Sequence, residues 1–331
     1  MTFGVTGGVT ASASLPGTGT ASNGSAWHAL LAIGRALGAA GYRHTALTPA
    51  SHQRILQRPR AADAPVTLRD VFGLTRRFSA DDLDPRIWNA MNEAGILRRE
   101  GTGWRSKLRV ASADGRLFFH SAYPTLDDDA VFFDPDTYRF LRALRPALAH
   151  GPVRRAVDIG CGAGAGAVAI ARHWPDCEVL ALDLNEKALI LTGVNADLAG
   201  AHRVRAVKSD LLDRVDGNFD LIVAHPPYLL DPLGRPLRHG GGAHGEQRSF
   251  DIVNAAINRL APGGRLLLYT GVAMVDGADP LLARLAGLLN VPGLRWRYEE
   301  IDPDIHGDEL AEAGYETADR IAAVWLEVRK Q

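Results

Sequence analysis

The chain contains two cysteines, Cys161 and Cys177, and three methionines, and it has almost no excess of charge of either sign. Two cysteines build neither a disulfide framework nor a cysteine-rich zinc site, a pattern of reducing interiors, so the cytoplasm is the expected compartment. Thirty-seven basic side chains stand against thirty-eight acidic ones, a formal charge of −1. There is therefore no global electrostatic case for nucleic acid or an anionic membrane. No apolar run approaches the roughly 20 residues a spanning helix needs, so no membrane partner is expected. The first 25 residues carry no charged side chain. With neither a basic n-region nor a compact apolar h-region, they do not read as a secretion signal. Their Gly, Ser, Thr and Ala content buries too little apolar surface to fold alone and marks a flexible leader.

What is present is 331 residues, 46% of them apolar, enough for one large or two ordinary domains. From Trp27, apolar residues recur at helical spacing through Leu30, Leu31 and Leu37, and Gly41 supplies a stop. A second helix is expected over Leu68 to Phe78. A third should start at Pro85, where a missing N–H costs nothing, carrying Ile87, Trp88 and Met91 inward and ending near Gly95. The stretch WRSKLRVASADGRLFFHS then alternates around Asp114-Gly115, a strong hairpin signal. Helices followed by a hairpin resemble a winged-helix module, here 26–125. Arg98, Arg99, Arg105, Lys107 and Arg109 lie close together within it and leave nucleic acid open as a partner, though the near-neutral chain does not favour it. Such modules also cover substrates or form homodimers.

From about residue 126 strands alternate with helical segments, the signature of a doubly wound α/β sheet. Seven strands are expected, at 155–159, 178–182, 203–207, 219–224, 265–270, 296–301 and 321–328. The first runs into VDIGCGAGAGAVAIA, where Gly160, Gly162 and Gly164 permit backbone conformations and close approaches that a β-carbon forbids. Alone, this loop also satisfies a dinucleotide fingerprint. Three acids point instead to S-adenosylmethionine. Asp158 can face an ammonium group, Asp183, with Leu184 beside it, can accept hydrogen bonds from ribose hydroxyls, and Asp210 suits an adenine amino group with Leu211 beside the ring. Each ends one of three successive strands, where ligands of such sheets bind.

With these residues and HPPY at 225–228, residues 125–331 resemble a class I S-adenosylmethionine-dependent methyltransferase. HPPY is similar to the NPPY signature of the amino-methylating group, which includes release-factor glutamine and rRNA guanine-N2 methyltransferases. The resemblance implies a Rossmann-like, seven-stranded methyltransferase sheet behind a smaller N-terminal domain. VFFDPDTYRFLRAL (131–144) resembles the segment that helps cover the cofactor, which implies contacts from Phe133 and Thr137. HGGGAHGEQRSFDIVNAAINRLAPGGRLLL resembles the glycine-rich loop, helix and strand that follow NPPY. It also implies that the Pro226 carbonyl accepts from the acceptor's amino group and that Tyr228 stacks on the acceptor's plane.

His225 stands where that family has asparagine. An imidazole offers one donor and one acceptor and takes a proton near pH 6.5, so it can serve as a base toward a nucleophile that must lose a proton. It can also only orient an amine or pack. The leading expectation is methyl transfer to nitrogen or oxygen of a small-molecule or protein acceptor. Two alternatives keep the cofactor: an azetidine-2-carboxylate-forming cyclase releasing methylthioadenosine, and a winged-helix regulator that senses the cofactor. His239 and His244, between flexible glycines, read as part of a substrate-side loop rather than a metal pair. No metal is expected. Cys161 reads as a packing residue, and the acids of IDPDIHGDELAEAGY as solvated.

Overall fold

The computed structural model describes residues 21–331 except 60, 62, 126, 232, 233, 236 and 237. Most of the expected leader lies outside the described residues, while 21–25 belong to the first helix. Four helices come first: α1 (Ala21–Ala39), α2 (Pro49–Leu56), α3 (Leu68–Phe72) and α4 (Pro85–Glu93). Two antiparallel hairpins follow, β1 (Leu97–Glu100) with β2 (Gly103–Ser106), and β3 (Leu108–Ala113) with β4 (Arg116–Ser121). α4 begins where Asp84 caps it and Pro85 opens it, with Ile87 and Met91 buried. α3 is shorter than its apolar pattern suggests. Gly73 ends it, Thr75 takes a positive φ, and Phe78 leaves to bridge Trp104 of β2.

The Asp114-Gly115 turn has positive φ at both central residues, the twist that closes a two-residue hairpin. The strands it joins pack on the second half of the chain, whereas the hairpin directly after α4 is β1–β2. The five clustered cations do not share one face. Arg98, Arg99 and Lys107 are exposed, Arg105 pairs with Glu100, and Arg109 is buried with its Nε donating to the Ser121 carbonyl at 2.9 Å.

The remaining elements are α5 (Pro135–Leu148), β5 (Arg155–Ile159), α6 (Ala165–His173), β6 (Glu178–Asp183), α7 (Glu186–Ala199), β7 (Val204–Lys208), β8 (Phe219–Ala224), α8 (Gln247–Ile257), β9 (Leu260–Val275), α9 (Pro280–Leu289), β10 (Leu294–Asp302) and β11 (Ala318–Lys330). They form one seven-stranded sheet in the order β10-β11-β9-β8-β5-β6-β7. β5 to β9 run parallel, and β11 is antiparallel to both of its neighbours. Buried residues alternate between the faces of β5. Ala156 packs with α5, α6 and α7, and Val157 and Ile159 with α8 and α9.

The first of these cores also takes in the N-terminal helices and the β3–β4 hairpin. Trp27 of α1 lies against Gly193 of α7, and its Nε1 donates to Asp197 Oδ2 at 3.1 Å. Buried Asn195 of α7 accepts from Phe119 N at 2.8 Å and donates to the carbonyls of Phe119 at 3.0 Å and Ala163 at 2.9 Å. One side chain thus satisfies the backbone of β4 and of the loop after β5. Among the described residues no helix is long and apolar enough to cross a membrane.

Candidate functional site

At the carboxyl end of β5 the chain turns sharply. Gly160 and Cys161 both donate to the Leu182 carbonyl, at 2.8 and 2.9 Å, tying the loop to β6. Gly160 and Gly162 have φ of +70° and +53°, and a β-carbon at either would meet nothing within 4 Å. The loop therefore borders open space, the cradle a ligand's closely approaching backbone contact requires. Gly164 also has a positive φ, but a β-carbon there would press on Thr192.

Asp183 holds this loop in place. Its Oδ2 accepts from Gly162 N and its Oδ1 from Asn185 N, both at 2.9 Å, leaving further lone pairs on each oxygen. Burial raises its pKa. Leu184, next in the chain, is 50% exposed, an apolar side chain presented at the rim. Asp158 lies beneath, its Oδ2 accepting from Ala167 N at 2.8 Å at the start of α6. Burial, with Asp183 adding, pushes its pKa up to about 7. Asp210 is exposed at the end of β7, with Arg248 Nη1 at 3.7 Å, and Leu211 beside it is half-buried.

Phe140 of α5 joins this side to the next. A β-carbon at Gly166 would lie 2.7 Å from Asp158 Oδ2 and 3.0 Å from Phe140 Cε1, and the Phe140 ring is 5.4 Å from that of His225. His225 follows the last residue of β8 and makes no hydrogen bond with any described residue. Its ring stands edge-on to Tyr269 at 4.8 Å and runs near-parallel to Tyr228 at 6.4 Å. Burial lowers its pKa, outweighing the pull of the Asp136 carboxylate, so the imidazole is neutral at pH 7. The Pro226 carbonyl accepts from no described residue.

Asp136, in the first turn of α5, is 2% exposed and gathers four donors. Its Oδ1 accepts from Arg139 Nη1 at 2.7 Å and Tyr269 Oη at 3.2 Å, and its Oδ2 from Tyr228 Oη and from His306 Nε2 at 3.1 Å. Burial pushes the carboxyl up, but His306, His225 and Arg139 together bring it below the ordinary value. Burial likewise opposes charge on His306, yet its bond to Asp136 raises it. His306 comes from the connection between β10 and β11. In the same connection Tyr315 Oη accepts from the Leu230 backbone N–H at 2.8 Å, and Glu309 pairs with Arg238 at 2.5 Å.

A family model described as the methyltransferase small domain matches residues 130–275. The release factor glutamine methyltransferase of Deinococcus radiodurans is 30% identical over 266 residues, 75% of this chain and 88% of that protein. The chain belongs to the class I S-adenosylmethionine-dependent methyltransferases. The release factor glutamine methyltransferase of Bordetella pertussis is 32% identical over 216 residues, 61% of this methyltransferase and 75% of that protein. The ribosomal protein uL3 glutamine methyltransferase of Neisseria meningitidis serogroup A is 33% identical over 140 residues, 39% of this chain; the match spans about half, 46%, of that relative. Among solved structures, the M. jannaschii tRNA m1G37 methyltransferase aligns over 70% of this chain and 60% of its own at 14% identity and a TM-score of 0.47.

In this methyltransferase the expected cofactor residues Asp158, Gly160, Gly162, Asp183, Leu184, Asp210 and Leu211 gather at the carboxyl ends of β5, β6 and β7. Two do not present themselves to a ligand. Phe133 is 1% exposed, packed against Phe118, His120 and Tyr138, so it supports the site from behind. The Thr137 hydroxyl is engaged with Asp134 in the capping box of α5. His239 Nδ1 accepts from Asp231 N at 3.2 Å, His244 lies 3.4 Å from the Thr317 hydroxyl, and the described residues contain no metal-binding cluster. Cys161 is buried against Thr192. The cluster of Asp136, Arg139, Tyr269 and His306 is not legible in the sequence: Asp136 and Arg139 lie in the 131–144 segment, but no local motif links them to Tyr269 and His306.

Proposed function

We propose that this chain transfers the methyl group of S-adenosylmethionine to a nitrogen or oxygen of an acceptor held by the HPPY loop. When bound, the cofactor supplies an electrophilic methyl on a sulfonium. Gly160 and Gly162 would let it approach the backbone, Asp183 would accept from its ribose, and Asp158 would meet its positive charge. Asp210, Leu184 and Leu211 are suited to the adenine. The acceptor's proton-bearing atom would point between the Pro226 carbonyl and a ring nitrogen of His225. The connection carrying His306 and Tyr315 would keep water from the loop, which a displacement at carbon requires.

The observation that carries this reading is the His225 imidazole, neutral and without a hydrogen-bond partner among the described residues, at the strand end beside the glycine loop. A neutral imidazole can accept a hydrogen bond from an amide or take the proton of an alcohol, phenol or ammonium. The curated relatives are named for protein glutamine, an amide that needs orientation only, and a protein acceptor is the first to try.

Purified protein should be incubated with S-adenosylmethionine alone and with candidate acceptors, and the nucleoside product identified. S-adenosylhomocysteine that appears only with an acceptor is the expected result. Methylthioadenosine without one would replace methyl transfer by cyclisation of the cofactor's side chain, and binding without any product would leave a cofactor sensor. His225→Asn then separates acceptors. It should preserve turnover on an amide, and it should abolish turnover, with the acid limb of the pH profile, on a nucleophile that must be deprotonated.

A further inference from the structure

Among the described residues the His225 side chain has no hydrogen-bond partner and lies between the rings of Phe140, Tyr228 and Tyr269, and the two tyrosines share a feature. Tyr228 and Tyr269 both donate their phenols to Asp136, one to each carboxylate oxygen. We infer that Asp136 is the positioning residue that sets the plane of the His225 ring through Tyr228 and Tyr269, a role that rests on the acceptor reading proposed above.

The carboxylate is well suited to this. A carboxylate has about four lone-pair sites, and Asp136 fills them with donors from its own helix, the HPPY loop, β9 and the β10–β11 connection. Four separately encoded segments are thereby brought to one point. Arg139 and His306 also offset its charge, and Arg139 reaches on to Asp302 Oδ2 at 3.2 Å, so the buried carboxylate is not left uncompensated. Tyr228 is braced from its other side as well: a β-carbon at Gly271 of β9 would sit 2.2 Å from its Cε2. With both phenols pinned, the edge-on contact with Tyr269 and the near-parallel contact with Tyr228 leave the imidazole little freedom to turn. The groups facing His225 and able to change its protonation are Asp136 and Asp134, both of which favour the charged form.

The test compares Asp136→Asn with Tyr228→Phe and Tyr269→Phe, each of which removes one hydroxyl and keeps the ring. Three readouts are taken: turnover at saturating cofactor, cofactor affinity by calorimetry, and nuclear Overhauser contacts from the His225 ring to that of Tyr269. Asn keeps the size of Asp136 but replaces acceptor lone pairs by a donor, so two partners lose their acceptor. Expected are a fall in kcat of about 100-fold for Asp136→Asn, the scale of a misplacement near 1 Å, cofactor affinity within about twofold, and loss of the ring contacts. Its acid limb should move to lower pH, because the departing carboxylate had favoured the imidazolium. The tyrosine variants should show smaller losses of the same kind. Undisturbed ring contacts in Asp136→Asn, or an unchanged kcat, overturn the inference. If Asp136→Asn does not fold, the tyrosine variants decide by the same readouts. The ring contacts are read without turnover, so the absence of any acceptor product in the wild-type protein would count against the proposed reaction and leave this measurement standing.

Discussion

Asp158 illustrates how one residue can be legible in kind and not in state. Its place two residues before the glycine loop is plain in VDIGCG, but the pKa of about 7 follows from burial and from Asp183 nearby, which only the fold supplies. At pH 7 the carboxyl is therefore about half protonated, and a cation placed beside it favours the ionised form. Below pH 7 the proton must leave on binding, so cofactor affinity should fall as pH drops through 7 and level off above it. Calorimetry at pH 7 in buffers of different ionisation enthalpy should report release of up to about half a proton per cofactor bound, and Asp158→Asn should abolish the release. Asp136 and His306 are the opposite case. Asp136 lies in the 131–144 segment and His306 among the acids near the C-terminus with nothing local to link them, and only the closing of the sheet brings residues 136, 228, 269 and 306 together.

Among the elements, the strands are the most readable because β5, β6 and β8 are buried on both faces and are predominantly apolar and short, with acids at Asp158, Asp183 and Asp220. β9 was expected at 265–270 and runs from Leu260 to Val275. Its extra length at the C-terminal end, Gly271 to Val275, pairs with β11, a partner no local pattern announces. This extension carries Gly271, the position on which the Tyr228 ring rests. Gly271→Ala should push that ring aside at a cost of about 1–3 kcal/mol, the range of overpacking. Turnover should fall at least tenfold while cofactor affinity, set at β5 to β7, stays level. Thermal melts with steady-state kinetics would show it, and a parallel loss of cofactor affinity would contradict the separation of the two sides. The stretch between β10 and β11 reads as a connection with solvated acids, and Asp304, Asp308 and Glu312 are exposed there. What composition does not announce is that the same connection closes over the HPPY loop through His306, Glu309 and Tyr315, contacts that depend on three-dimensional register.

At the scale of the whole molecule, the N-terminal helices and the β3–β4 hairpin share a core with the α5–α7 face of the sheet. Three of the four helices and the Asp114-Gly115 turn are legible in the sequence, but not the short α2 nor what they pack against, since an amphipathic pattern does not name its partner. Within this junction His120 is fully buried with both ring nitrogens unpartnered, and burial holds it, with His44 and His52, in the neutral form. Asn195 is the polar rivet of the same junction. Asn195→Leu would strand the Phe119 N–H and two carbonyls, destabilising the protein by on the order of 3 kcal/mol. Because Ala163 belongs to the glycine loop, urea melts of the variant should regain less stability on addition of S-adenosylmethionine than those of the wild type.

The insertion of β11 between β9 and β10 gives biosynthesis a sequence of events. β5 to β8, with the loop that includes Gly160 and Gly162, can pair as they leave the ribosome, because each has its neighbour already made or soon to follow. β10 emerges with no sheet neighbour and waits for β11, and His306 lies in the stretch between them. A nascent chain would thus be able to grip its cofactor before the surface that receives the acceptor has been assembled.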